Sequence, residues 1–235
     1  LALAQEYNGF NDRRVMDAFI HYSKKMIDCY GDRVKYWLTF NEQNIFHMPE
    51  AFRISGYMKG EKTLRELYEL QHHTMVAHMT LTEYLHQTKP GQLMGGMQAH
   101  QLVYPATCKP RDIFCAQQYD EFLNQNLLRV FAGQGYSPAV MAVVEQEGFG
   151  DIYRAEDLAL LARTRNDYMA FSYYASKTLD SDAIPEGTPV NYYLLHGEKN
   201  NPYLKATEWN WQIDPLGLST IITRYANAWR MPVFP

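Results

Sequence analysis

The sequence predicts an α/β fold in which parallel strands alternate with helices. Two observations lead there. Short apolar runs rich in aromatic and β-branched residues, at 34–40, 92–97, 168–174 and the start of another at 231–235, are separated by longer segments with helical spacing. Polar residues suited to chemistry then cluster just after the carboxyl ends of the runs, where parallel α/β folds place their sites.

Each element follows from its own residues. Between residues 11 and 30, Val15, Met16, Phe19, Ile20, Met26 and Ile27 recur at helical spacing, with Asn11 as the expected N-cap and Gly31 as the stop. Residues 34–40 lack the alternation that would leave one face wet, so they read as a parallel strand covered on both sides. Residues 63–87 are helical again and end at Lys89-Pro90-Gly91; residues 92–97 form a buried strand whose glycines allow close backbone approach. Pro110 fits a first helical turn, and residues 112–131 continue as helix, followed by shorter helices at 139–146 and 155–163. The third strand is 168–174. Residues 175–207, rich in Pro, Gly, Asn and Asp, are too long for an idle connection and read as a functional loop. A last helix at 216–229 precedes the fourth strand. No fixed-period repeat or low-complexity tract interrupts the chain, which reads as a single domain over 1–235.

Composition narrows the function. The chain has 235 residues, 46% hydrophobic and 14% aromatic, which is enough for a large core. Its net charge of −4 carries no basic runs, so neither nucleic acid nor an anionic membrane is an expected partner, and a small polar ligand fits better. Three cysteines, Cys29, Cys108 and Cys115, form no CxxC pair and argue against a disulfide framework or structural zinc. A cytoplasmic location is the default expectation. Leu1-Ala2-Leu3-Ala4 is too short for a signal-peptide core and has the look of a cut from a longer chain. His72, His73 and His78 lack the i, i+4 spacing of a helical zinc pair, so a core or surface role is expected and no metal or cofactor is assigned. Trp209, Trp211 and Met231 read chiefly as core, with a tryptophan ahead of the last helix as a possible wall of a sugar subsite.

Glu42 is the residue with the strongest chemical reading. In Tyr36-Trp37-Leu38-Thr39-Phe40-Asn41-Glu42 it follows directly on a buried strand, a setting that holds a carboxyl at a rim above apolar packing and favours the raised pKa a general acid needs. On position alone, a solvated loop glutamate is the ordinary reading. The wording of several motifs changes that.

Lys35-Tyr36-Trp37-Leu38-Thr39-Phe40-Asn41-Glu42-Gln43-Asn44 resembles the acid/base strand of glycoside hydrolase family 1, with its T-F-N-E element. Tyr7-Asn8-Gly9-Phe10 is similar to that family's Y-G-G-W turn, Phe171-Ser172-Tyr173-Tyr174 to its sixth strand, and Trp211-Gln212-Ile213-Asp214-Pro215-Leu216-Gly217-Leu218 to its W-x-I-x-P-x-G-L. The resemblance implies a partial (β/α)8 TIM barrel, roughly strands 4 to 7, and a retaining β-glycosidase with Glu42 as general acid/base. It also implies Asn41 as the hydrogen-bond partner of the sugar 2-hydroxyl and Tyr174 as the phenol that touches and orients the nucleophilic carboxylate.

Ser172, Glu208 to Pro215, Tyr104 to Pro110 and Gln43-Asn44 resemble the 6-phospho-β-glucosidase branch, so a phosphorylated β-glucoside such as cellobiose 6-phosphate is the substrate expected from the resemblance. An unphosphorylated β-glucosidase or β-galactosidase, or a sugar-binding relative without catalysis, is the alternative. The family's E-N-G nucleophile follows a strand resembling Leu/Met-Pro-x-Phe, and this chain ends at Pro235 on that approach; Glu208, in a loop before a helix, does not match the motif. The 235 residues alone are therefore predicted to be inactive.

Overall fold

A computed structural model of the chain describes residues 2–49 and 62–235. Helices α1 (Ala2–Tyr7) and α2 (Arg13–Tyr30) lead into strand β1 (Tyr36–Leu38). Helix α3 (Leu64–Thr88) is followed by β2 (Leu93–Ala99) and β3 (Val103–Pro105). A nearly continuous helical run comprises α4 (Pro110–Asp120), a π-helical turn (Glu121–Gln125) and α5 (Asn126–Phe131). Helices α6 (Pro138–Gln146) and α7 (Ala155–Arg163) precede β4 (Tyr168–Ser172) and β5 (Lys177–Leu179). Then come α8 (Tyr193–Gly197), β6 (Glu198–Lys199), α9 (Pro215–Ala228) and β7 (Val233–Phe234).

The main sheet has the order β1-β2-β4-β7 and every pairing in it is parallel, as the alternation of strands and helices predicts. Helix α3 starts where expected because Thr63 and Glu66 form a reciprocal capping box. Helix α2 is capped one residue later than the sequence reading: the Asp12 carboxylate accepts from the Arg14 amide, while Asn11 donates instead to the carbonyl of Glu66. A carboxylate acceptor suits the positive end of a helix better than an amide.

The principal core lies between the sheet and α3, α5, α7 and α9, with Met75, Met79, Phe131, Leu161, Met169, Phe171, Ile221 and Tyr225 buried together. Gly96 makes this packing possible. A Cβ there would stand 2.4 Å from the Phe131 ring, so Gly96→Ala should cost about 2 kcal/mol of overpacking, read as a lower denaturant midpoint. An unchanged midpoint would show that the ring can step aside.

Two further features depart from the sequence reading. Strand β1 is shorter than 34–40, and among the described residues Tyr36 and Leu38, which share one of its faces, are exposed. Residues 175–207 are not simply a loop: β5 and β6 join β3 in a second, three-stranded sheet, whose Leu179 packs with Val103, Ala116, Tyr119, Leu123 and Leu194.

Histidines fill unusual positions in the interior. His72 is enclosed with Asp157, which also pairs with Arg13; His73 faces the Phe10 carbonyl; His78 lies between Thr39 and Asn166. Burial pushes His73 and His78 down to about 4 and His47 and His100 down to about 3, because the charged ring would lose its hydration. Asp157 is held down at about 2; burial opposes its charge, but hydrogen bonds from His72 and Arg13 prevail. Among the described residues no cluster of histidine, cysteine and carboxylate side chains could hold a metal, and no helix is long and apolar enough to cross a membrane.

Candidate active site

The T-F-N-E element is built residue by residue from its surroundings. Thr39 Oγ1 meets His78 Nδ1 at 2.6 Å, which ties the end of β1 to α3. The Phe40 ring packs against Phe10, Phe19 and Phe46, with centroids 5.3, 4.7 and 6.3 Å away. With these two side chains turned inward, Asn41 is exposed and Glu42 half-buried at the carboxyl end of β1. Glu42 adopts a left-handed backbone, φ 45° and ψ 51°, and leads directly into a 3-10 turn (Gln43–His47).

Tyr174, two residues beyond β4, reaches the same place from another strand. Its hydroxyl donates to Glu42 Oε1 at 2.5 Å, and accepting that carboxylate as a partner raises the phenol's pKa above its ordinary value. Three of the sequence-singled residues, Asn41, Glu42 and Tyr174, thus stand at one end of the parallel sheet. Asn41 has no hydrogen-bond partner among the described residues, which leaves its amide available to a ligand. The resemblance implies a contact between Tyr174 and the nucleophile; the contact present is with Glu42.

The tryptophans correct the core reading. Trp209 is 80% and Trp211 47% exposed, and Trp211 lies 5.4 Å from the Tyr174 ring, centroid to centroid. A short antiparallel bridge, Ala206 with Gln212, closes the loop that carries them, and Met231 is buried as expected. Together Tyr174, Trp211 and Trp209 make a run of aromatic faces beside the carboxylate, a surface on which the C–H face of a pyranose can rest.

Sequence reasoning does not single out two residues that tie the segment around Glu42 to β2. Met97 Sδ accepts the Glu42 amide at 3.1 Å, and the Asn44 side chain pairs with the backbone of Ala99. Asn44 stood out only as a mark of one branch, and Met97 only as part of an apolar run; the pairing across 55 residues has no local signal. A cavity of about 540 Å³ lies away from these residues, before the starts of β4 and β7, lined by Arg163, Arg165 and Arg230 together with Glu83, His86 and Asp167.

The model for glycosyl hydrolase family 1 matches residues 1–234. The chain belongs to glycosyl hydrolase family 1. Curated relatives include the aryl-phospho-beta-D-glucosidase BglH of Bacillus subtilis (strain 168), 34% identical and matched over 100% of this chain and 50% of its own. The 6-phospho-beta-glucosidase AscB of Escherichia coli (strain K12) is 30% identical, over 99% of this chain and 48% of its own. The chain spans about half the length of the curated relatives it matches. Among solved structures, a beta-glucosidase from Exiguobacterium marinum superposes with a TM-score of 0.83 at 19% identity, covering 99% of this chain and 51% of that one. The family 1 b-glucosidase from Thermotoga maritima gives 0.77 at 21%, covering 97% and 49%. The four-stranded parallel sheet is accordingly part of a family 1 (β/α)8 barrel, and its carboxyl end is the face on which such barrels carry their chemistry.

Proposed function

We propose that the full-length family 1 protein hydrolyses 6-phospho-β-glucosides with retention of configuration, Glu42 acting as general acid and then general base. The observation that carries this reading is the Glu42 carboxylate at the carboxyl end of β1, half-buried, hydrogen-bonded by Tyr174 and flanked by an aromatic face. The names of the curated relatives, an aryl-phospho-beta-D-glucosidase and a 6-phospho-beta-glucosidase, support the phosphorylated substrate.

In the first step a carboxylate outside residues 1–235 attacks the anomeric carbon while Glu42 gives its proton to the departing glycosidic oxygen. In the second, the now ionised Glu42 takes a proton from water, which attacks the same carbon and returns the nucleophile. Asn41, exposed beside Glu42, hydrogen-bonds the sugar 2-hydroxyl, a contact that strengthens as positive charge grows on the ring. A phenol has one proton to give, so Tyr174 serves one carboxylate of the pair at a time; within residues 1–235 that carboxylate is Glu42, at 2.5 Å.

The test is hydrolysis of paired aryl β-glucosides, with and without a 6-phosphate, by the full-length protein, with the product anomer followed by proton NMR. Turnover of the phosphorylated member with β product first is expected, and none from residues 1–235 alone. Turnover confined to the plain sugar would overturn the phosphate specificity; an α product would overturn retention.

A further inference from the structure

The backbone under Glu42 is not one that a residue with a Cβ adopts freely. A left-handed residue costs about 1 kcal/mol or more and persists where its surroundings enforce it. Here the enforcement comes from β2. Strand β1 leaves the sheet after Leu38, which pairs with Gly95, while β2 runs on to Ala99. The edge of β2 that β1 abandons is taken over by one side chain. Asn44 Nδ2 donates to the Ala99 carbonyl at 2.7 Å and Asn44 Oδ1 accepts the Ala99 amide at 2.8 Å, so the side-chain amide does the work of a peptide unit. Asn44 is 1% exposed, which keeps both bonds away from competing water. Two residues earlier on β2, Met97 Sδ accepts the amide of Glu42 itself.

We infer that Asn44, with Met97, is a positioning residue for the proton donor: it fixes where the Glu42 carboxyl stands relative to the glycosidic oxygen without touching substrate. This rests on the reading of Glu42 as acid/base. A displacement of about 1 Å in such a group is enough to cost on the order of 100-fold in rate.

The experiment compares full-length wild type, Glu42→Gln, Asn44→Ala and Met97→Leu on two aryl 6-phospho-β-glucosides, through kcat/KM, which reports the first chemical step. Dinitrophenolate leaves without a proton; phenolate needs one. Asn44→Ala should lose roughly 100-fold on the phenyl glucoside and less than about 3-fold on the dinitrophenyl one, and Met97→Leu should show the same contrast at about 5-fold. An equal loss on both substrates, the mark of a merely structural role, would overturn the inference. Should Asn44→Ala fail to fold, Met97→Leu, which leaves Ala99 paired, decides: wild-type rates on both substrates would overturn it. Glu42→Gln separates the two levels. If it shows no leaving-group contrast, the acid/base reading itself fails; if it does and the other variants do not, only the positioning role fails.

Discussion

Glu42→Gln in the full-length protein should lower kcat/KM for a phenyl 6-phospho-β-glucoside by roughly 1000-fold, the scale of a lost general acid. The substitution keeps the shape and the oxygen that accepts from Tyr174, so the fold and the aromatic face should survive. Added azide should restore turnover of an activated substrate, because a small anion needs no base to attack the glycosyl intermediate, and the product should be a β-glycosyl azide. An unchanged rate in the variant would remove Glu42 from the mechanism.

Acid should unfold this protein well above the pH at which its carboxylates titrate. In the native state His47 and His100 titrate at about 3, and His73 and His78 at about 4, against an ordinary 6.5 in the unfolded chain. Between 6.5 and about 4 the unfolded chain therefore binds more protons than the native one, so stability is complete above 6.5 and falls as pH falls through that window. Each unit of separation corresponds to about 1.4 kcal/mol, and a domain holds only about 5–15 kcal/mol in all. Thermal melts between pH 8 and 4 should show a midpoint that is flat at the top of the range and drops steeply below 6.5. Asp157 does not contribute there: its stabilisation is present above the ordinary 3.8 and is lost only as pH falls toward about 2. A midpoint as high at pH 4 as at pH 7 would mean that these rings reach water without unfolding.

How much of this was legible in the sequence depends on how local the signal is. Helix α7 has the bounds its periodicity predicts, and α3 begins at the threonine its capping box requires. The parallel sheet followed from the order of apolar runs. The small β3-β5-β6 sheet was not legible, because strands of two or three residues are made by partners far away in the chain and carry no period of their own. The site divides in the same way. Asn41 and Glu42 adjoin in one motif and Tyr174 ends another, so the resemblance could name them; Met97 and Asn44 act through pairings that exist only once β2 lies beside the loop. Trp209 and Trp211 read chiefly as core, with a sugar-subsite wall as the alternative, and their exposure beside Tyr174 depends on a loop path that no local pattern announces.

The left-handed backbone at Glu42 makes it a place where substitution could steady the chain. Glycine is at ease at φ 45°, and asparagine tolerates it well, whereas glutamate is among the residues that suit it poorly. On backbone preference alone either of those two would hold this turn more firmly. On the proposed reading of Glu42 as acid/base, a substitution made there to relieve the backbone would yield a sturdier protein with nothing left to donate.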